Sequence, residues 1–218
     1  MTLKLYGFWR SNAAFRVRVA LALKALPYEE IDIDLLSGDQ FDSAYAEINA
    51  GHVVPTLVHD DRQIFQSLAI IEYLDEIAPE PPLLPAEPFE RAYTRSLAMV
   101  LAADVHPLTV PRVRQHLKDV LAADSSGIEA WCRHWTAEGL ATYERLLLRR
   151  PPAPFALGEF ISVGDIGIAG QVALAEVYHM DLSSYPQVEA LAKRCFALSA
   201  FSDAHPFAQP GYRAKNPR

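Results

Sequence analysis

The tripeptide Arg10-Ser11-Asn12 carries residue types that can hold an anion. It follows the alternating segment Leu3–Gly7, which predicts a strand, and it opens a helical pattern that runs from Ser11 to about Ala25. The first turn of a helix offers unpaired backbone N–H groups and the positive end of the helix dipole, and both favour an anion. The hydroxyl of Ser11 and the amide of Asn12 can therefore either cap the helix or hydrogen-bond to a bound thiolate.

Two later segments present similar chemistry. Gln66-Ser67 precedes a helical pattern, so the Ser67 hydroxyl and nearby N–H groups can receive a carboxylate, with the Gln66 amide beside them. Val54-Pro55 opens an apolar run that ends at Val58. A proline there belongs at the start or edge of a strand, because it cannot donate to a ladder. The sequence thus predicts a second helix N-terminus at Ser67 and a strand for which Pro55 lies at the start or at an edge.

The elements that must position these residues follow the order β-α-β-(α)-β-β-α. Predicted strands over 3–6 and 28–35 flank the first helix, so they should be parallel with a right-handed crossover. A short helix over 41–47 and a hairpin of strands 53–58 and 63–65 come next, before a helix from Ser67. Residues 1–80 are therefore predicted to form an α/β domain.

Five prolines between residues 79 and 88 predict a stiff linker, placed at 81–89. Beyond it, strand patterns disappear and residues 90–218 are predicted to form an all-helical domain. Ser162 and Asp165 have the spacing of a capping box, and the tail from Ala204 is predicted to be extended. The predicted helices of this domain cover 90–106, 110–121, 127–149, 163–177 and 187–198.

Composition limits the class of protein. Half of the 218 residues are apolar, which is ample for a core, and the net charge of −7 argues against nucleic-acid and acidic-membrane partners. Cys132 and Cys195 are the only cysteines, and we expect them to be free thiols of a reducing compartment, hence a cytoplasmic protein. The chain enters a strand pattern directly, which predicts no signal peptide, and no Cys or His spacing suggests a metal site.

Nearly the whole chain resembles the cytosolic glutathione transferases, and most closely their zeta class, which includes maleylacetoacetate and maleylpyruvate isomerases. The resemblance implies a thioredoxin-like N-terminal domain that binds glutathione, an all-α C-terminal domain that forms the second-substrate pocket, and a homodimer. The motifs that carry it are Arg10-Ser11, the Arg-Val-Arg block 16–24, Val54-Pro55-Thr56-Leu57, the Gln-Ser block 66–74, Leu83-Leu84-Pro85, 104–107, 181–182 and 185–186.

The resemblance also implies site residues. Ser11 matches the serine that activates the thiol of glutathione, a group with a free pKa of about 8.5. Hydrogen bonds, the helix dipole and the nearby arginine all favour the thiolate. We therefore expect Ser11, Asn12 and Arg10 to act in catalysis, with the sequence leaving open whether Ser11 or Asn12 lies nearer the sulfur. The expected glutathione-binding residues are Ser11, His52 near the glycyl end, Val54 with a cis Pro55, Gln66 and Ser67.

Other charged residues keep two interpretations. Arg16 and Arg18 lie further along the first helix and are interpreted as fold or interface residues. His106 is either a core histidine or a wall of the substrate pocket. Arg112 is either a solvated helix residue or a partner for a substrate carboxylate.

Several positions depart from the zeta pattern. Asn12 and Ala13 stand where a serine and a cysteine are usual, and Val177 stands where isomerases commonly hold an arginine, next to Glu176. The sequence therefore predicts first a glutathione transferase that directs the thiolate to a small electrophile. The alternatives are a glutathione-dependent cis–trans isomerase of the maleylacetoacetate or maleylpyruvate type, and a glutathione-binding protein without catalysis.

Overall fold

The structure, a computed structural model, describes residues 2–215 and divides into two compact units. One unit comprises Met1–Leu83 with Leu198–Arg218, and the other comprises Leu84–Ala197. The first unit holds a four-stranded sheet in the order β2-β1-β3-β4. Its strands are β1 (Leu3–Gly7), β2 (Glu29–Asp32), β3 (Thr56–His59) and β4 (Arg62–Phe65), and its first three helices are α1 (Asn12–Leu23), α2 (Ser43–Ile48) and α3 (Ser67–Ile77).

The sheet has the mixed topology that the sequence predicted. β1 and β2 are parallel, whereas β3 runs antiparallel to both β1 and β4. Leu3 and Leu5 of β1 are buried, in line with their alternation. α1 is buried from Asn12 to Leu21, because it packs against α3 as well as against a C-terminal helix. A helix covered on several sides needs no polar face, which explains the apolar run in α1.

The C-terminal segment corrects one prediction. Its residues form helices α9 (Ser199–Ser202) and α10 (Pro210–Lys215), separated by a 3₁₀ turn, and they group with the first unit instead of the helical one. α9 contacts α1, and the Trp9 and Tyr212 rings lie 5.6 Å apart. These long-range apolar contacts order a tail predicted to be extended, and Pro210 is accommodated because the first helical position needs no N–H donor. The end of the predicted tail, 216–218, lies outside the described residues.

The second unit is helical in the residues that the structure describes. Its helices are α4 (Pro88–Met99), α5 (Pro111–Leu121), α6 (Ser125–Leu147), α7 (Val163–Val177) and α8 (Pro186–Phe196). α7 lies at its centre, in contact with α4, α6 and α8, and it begins with the predicted capping box. Asp165 Oδ2 accepts hydrogen bonds from the backbone N–H of Ser162 (2.8 Å) and from its hydroxyl (2.7 Å).

The proline-rich segment is shorter than predicted. α4 already starts at Pro88, with the Glu87 carboxylate capping the N–H of Glu90 at 2.7 Å. Within the first unit, the buried Lys24 ammonium contacts Asp75 (2.5 Å) and the carbonyl of Pro81 (2.6 Å). These contacts tie the start of the segment to α1 and α3. Among residues 2–215, no helix has the length and apolar character needed to cross a membrane.

Candidate functional site

Strand pairing brings three candidate segments to one edge of the sheet. Tyr6 near the end of β1 pairs with Thr56 at the start of β3, and Thr56 in turn pairs with Phe65 at the end of β4. The end of β1, the start of β3 and the end of β4 therefore lie side by side at one edge of the sheet. The segments at these three positions are Arg10-Ser11-Asn12, Val54-Pro55 and Gln66-Ser67.

Ser11 caps α1 with its side chain. Its backbone is extended (φ −73°, ψ 116°), and its hydroxyl oxygen accepts a hydrogen bond from the N–H of Ala14 at 3.1 Å. A hydroxyl has two acceptor lone pairs and one proton, so the capping bond leaves the proton available for donation. The two roles considered for Ser11 are thus compatible. Half-buried Arg10 precedes it, and Asn12, 5% exposed, is the first residue of α1.

The Val54–Pro55 peptide bond is cis, as the resemblance implied. The Val54 side chain lies in an apolar cluster with Phe8, Ile33 and Tyr45, so the side chain anchors this segment in the core. The interior thereby fixes the backbone just before β3.

Tyr45 and Asn49, which were not predicted from the sequence, hold the segment around Val54-Pro55. The carbonyl of Val53 accepts hydrogen bonds from the Tyr45 hydroxyl (2.6 Å) and from Asn49 Nδ2 (2.9 Å). Asn49 Nδ2 also donates to Thr56 Oγ1 (2.9 Å), and Asn49 Oδ1 accepts from the N–H of Gly51 (2.8 Å). The only sequence signal was the position of Asn49 at the end of the predicted short helix, which does not indicate its partners.

His52 lies in the same connection with a positive φ of 51°. Its Nδ1 lies 2.8 Å from the carbonyl oxygen of Gln40. A carbonyl only accepts, so Nδ1 carries the hydrogen and Nε2 is left for another partner. The ring also contacts Phe41, at 5.5 Å between centroids. His52 is therefore oriented by its own unit, while its contact with a ligand stays a prediction.

Gln66 has an unusual backbone conformation for a residue with a side chain, with φ 71° and ψ 113°. Residues held in this region commonly mark functional sites, because the surrounding structure must stabilise them. Its carbonyl accepts the hydrogen bond from the N–H of Ile70, but its exposed side chain does not cap α3. The Gln66 amide and the first N–H groups of α3 thus remain available to a ligand.

Ser67 is 5% exposed and contacts a buried arginine. Its hydroxyl oxygen accepts a hydrogen bond from Arg16 Nε at 3.0 Å, and Arg16 is itself 2% exposed. Arg18 in the same helix has different partners: its guanidinium contacts Glu30 (2.7 Å) and the carbonyl of Phe8 (3.0 Å). Arg18 thus joins α1 to β2 and to Phe8, the residue that follows β1, whereas Arg16 reaches a predicted site residue.

The two predicted substrate residues, His106 and Arg112, belong to the second unit. His106 is half-buried and begins a 3₁₀ turn, where its carbonyl accepts from the Thr109 hydroxyl at 3.1 Å. Arg112 is exposed in the first turn of α5. Their role toward a substrate stays a prediction.

Other features do not add to the site. Across the described part of the chain, no group of three or more His, Cys, Asp and Glu side chains is arranged to hold a metal ion. Cys132 and Cys195 are buried free thiols, and burial raises the pKa of Cys195 far above its usual range. A cavity of about 180 Å³ lies in the first unit, but its lining, which includes Arg18, Tyr28 and Asp203, contains no predicted site residue.

Comparison with known proteins defines the class. Residues 1–76 match the family model of the glutathione S-transferase N-terminal domain. A protein of Vibrio cholerae named probable maleylacetoacetate isomerase is 39% identical over 212 residues, covering 96% of this chain and 98% of the relative. The similarity to this relative therefore extends over nearly the full length of the chain.

Solved structures agree. A maleylacetoacetate isomerase from Methylobacterium extorquens AM1, with bound malonate and GSH, is 40% identical with a TM-score of 0.93, covering 95% of this chain and 98% of that one. A maleylpyruvate isomerase described as a bacterial zeta-class enzyme is 37% identical with a TM-score of 0.92 and the same coverage. The mixed sheet and helical unit thus define the glutathione S-transferase architecture. The chain belongs to the glutathione S-transferase family, in its zeta class.

These relatives change the order of the functional predictions. The sequence predicts conjugation to an electrophile first and isomerisation second. The named relatives are isomerases, which favours the second over the first.

Proposed function

We propose that this chain binds glutathione and catalyses a glutathione-dependent cis–trans isomerisation of a maleyl-type substrate such as maleylacetoacetate or maleylpyruvate. The observation that carries the glutathione site is the convergence of Ser11, Val54 and Ser67 at one sheet edge, next to the N-termini of α1 and α3. The choice of reaction is supported by the isomerase relatives.

The residues of the first unit fit an extended, anionic tripeptide. The N-terminus of α3 and the Ser67 hydroxyl suit the γ-glutamyl carboxylate. The backbone of Val54, anchored by its side chain in the core, suits pairing with the cysteinyl residue. His52 Nε2 is the group left for the glycyl end. Each part of glutathione thus has a complementary group on a neighbouring segment.

The residues at the N-terminus of α1 would hold the sulfur as a thiolate. Ser11 has a hydroxyl proton that its capping bond does not use, and the positive end of the α1 dipole and the Arg10 guanidinium favour the same charge. Glutathione supplies the chemistry: its thiolate adds to the conjugated double bond, rotation follows about the new single bond, and elimination regenerates both the alkene and the thiolate. The chain's residues hold the sulfur in place and stabilise its charge.

Conjugation is the second candidate, because one feature favours it. Val177 at the end of α7 is half-buried and uncharged, and Glu176 beside it is exposed and acidic. Position 177 therefore does not supply the arginine expected there in a site for a dianionic substrate. Without an arginine at position 177, Arg10 and Arg112 are the remaining predicted partners for a substrate carboxylate. His106 stays the predicted wall of the pocket.

Measuring the free thiol content during turnover distinguishes these functions. Maleylpyruvate is supplied in large excess over glutathione, and substrate and free thiol are both measured. We expect many turnovers per glutathione with the thiol content unchanged. Thiol loss in proportion to product, with turnover of an aryl halide, would identify a transferase instead. Glutathione binding without turnover of either substrate would leave a non-catalytic binding protein, and no shift in melting temperature with glutathione would exclude all three functions.

We further infer a cytoplasmic homodimer. Phe65 of the edge strand β4 is 57% exposed, and on α4 Phe89 and Met99 are 69% and 50% exposed. Contiguous exposed apolar patches mark interaction surfaces, so we propose these side chains as candidates for the dimer interface. The two free, buried cysteines suit a reducing compartment.

A further inference from the structure

Arg16 is a buried cation without a counter-charge. It is 2% exposed, and its one hydrogen bond in the described part of the chain goes to the neutral hydroxyl of Ser67. Within residues 2–215 it forms no ion pair with a carboxylate, and its Nη1 is buried with no hydrogen-bond partner. A buried charge without a partner is unfavourable, so something should compensate for it.

The location of the charge indicates what compensates for it. Arg16 contacts the first residue of α3, an eleven-residue helix whose N-cap side chain makes no capping bond. The guanidinium and the positive end of the helix dipole therefore act at the same place. Burial lowers the pKa of Arg16 to about 10, so the group is still charged at neutral pH. This end of α3 thus concentrates positive charge, and among residues 2–215 no carboxylate forms a salt bridge with Arg16.

The contact also fixes the direction of the Ser67 hydroxyl. A guanidinium has donors and no acceptor, so Ser67 Oγ must be the acceptor in the bond with Arg16 Nε. The hydroxyl proton consequently points to another partner. A carboxylate at the N-terminus of α3 would accept this proton.

We propose that Arg16 is a positioning residue for the anionic end of glutathione: it orients the Ser67 hydroxyl, and the γ-glutamyl α-carboxylate of the ligand supplies the missing counter-charge. This inference rests on the proposed function, because it takes glutathione as the ligand. Arg16 acts through Ser67 and through its charge, since its unpartnered nitrogen is buried. The alternative is that Arg16 only joins α1 to α3.

The test compares two probes that differ in one carboxylate. The probes are S-methylglutathione and its analogue with 4-aminobutanoyl in place of γ-glutamyl, which lacks the α-carboxylate. Their dissociation constants are measured by calorimetry for wild type, Arg16→Met and Arg16→Lys. We expect wild type to prefer S-methylglutathione, and Arg16→Met to lose about 10- to 100-fold in affinity for it while its affinity for the analogue changes less than about threefold. Arg16→Lys should keep part of the preference because it keeps the charge.

Arg18→Met is the matched control. Arg18 lies two residues along the same helix and is also buried, but it is paired with Glu30. We expect Arg18→Met to lower the ligand-free melting temperature, because Glu30 loses its partner, and to keep the preference between the probes. Arg16→Met should lower the ligand-free melting temperature less, since it removes an unpaired buried charge.

Three outcomes overturn the inference. Equal losses for both probes in Arg16→Met would assign Arg16 a structural role only. A wild type that binds both probes equally well would refute the counter-charge, and the proposed function would stand if isomerase turnover persisted. A wild type that binds neither probe nor glutathione would refute the proposed function as well. If Arg16→Met does not fold, the cycle of Arg16→Lys with Ser67→Ala decides: additive losses in affinity for S-methylglutathione would contradict the proposal.

Discussion

The hydroxyl of Ser11 stabilises α1 and still has a proton to donate. Its oxygen accepts from the N–H of Ala14, and the thiolate role proposed for Ser11 uses only the remaining proton. Capping and thiolate stabilisation are thus separable by substitution, because glycine is nearly as good an N-cap as serine whereas alanine is a poor one.

We predict that Ser11→Gly and Ser11→Ala lose turnover alike but differ in stability. Both lack the donor, so turnover at neutral pH should fall on the order of 10- to 100-fold and the pKa of bound glutathione should rise. Ser11→Ala should also unfold with about 1 kcal/mol less free energy, and Ser11→Gly with only a few tenths less. Thiolate absorbance and denaturant unfolding measure the two effects, with Ser11→Thr as the control that keeps the hydroxyl. Unchanged turnover in Ser11→Gly would instead assign thiol activation to Asn12.

At the scale of elements, the connection between α2 and β3 is held by side chains that no ligand needs to touch. Asn49 bonds to Val53, Thr56 and Gly51, and the Tyr45 hydroxyl joins the same carbonyl of Val53. This network holds the backbone on both sides of Val54, the residue proposed to pair with glutathione.

We predict that Asn49→Ala destabilises the protein by about 2 kcal/mol and weakens glutathione binding, because buried polar groups lose their partners and the Val54 backbone shifts. Unfolding and calorimetric binding measure the two losses. Tyr45→Phe should show both effects to a smaller degree. The control is Gln115→Ala, which removes an exposed amide paired with Asp119 and should change stability by less than about 0.5 kcal/mol. Normal glutathione affinity in a folded Asn49→Ala would show that the network has no influence on the site.

A second prediction at this scale concerns the start of α7. Asp165 is fully buried and accepts hydrogen bonds from Ser162 and from the N–H of Ala156 (2.7 Å). Burial raises the pKa of Asp165, and the hydrogen bonds from Ala156 and Ser162 oppose this effect without cancelling it. The folded state therefore binds a proton more readily than the unfolded state, so Asp165 favours folding more strongly as the pH falls from its folded pKa toward its ordinary value of 3.8.

We predict that the unfolding free energy of wild type exceeds that of Asp165→Asn by a growing amount as the pH falls from the folded pKa of Asp165 toward 3.8. Asparagine is the suitable comparison because it cannot titrate and keeps the shape of the side chain. Urea unfolding across the acidic range measures the difference, and a difference that shrinks on acidification would contradict the direction of the pKa shift.

At the scale of the whole molecule, a homodimer requires a surface that the single chain leaves apolar. β4 is an edge strand with an exposed Phe65, and edge strands of this kind commonly pair with or pack against another chain. We predict that light scattering gives twice the mass of one chain and that Phe65→Ser raises the dimer dissociation constant at least about tenfold. Leu36→Ser is the control, since Leu36 is similarly exposed (58%) but follows β2 at the other side of the sheet. A monomeric wild type would refute this prediction.

The sequence by itself determined the elements and the three segments in which the proposed site lies. Alternation, helical spacing, proline positions and caps act over a few residues, so β1 to β4, α1 to α8 and the Ser162–Asp165 box followed from local patterns. The motifs at Ser11, Val54 and Ser67 were recognisable for the same reason.

Only the tertiary structure decided which distant residues contact those segments. Arg16 and Ser67 are 51 residues apart in the chain, and their contact depends on the packing of α1 against α3. The positive φ of Gln66 and the docking of α9 and α10 on the first unit likewise result from long-range contacts. Local propensity carries no information on such contacts, because they form only when the closed core brings the two segments together.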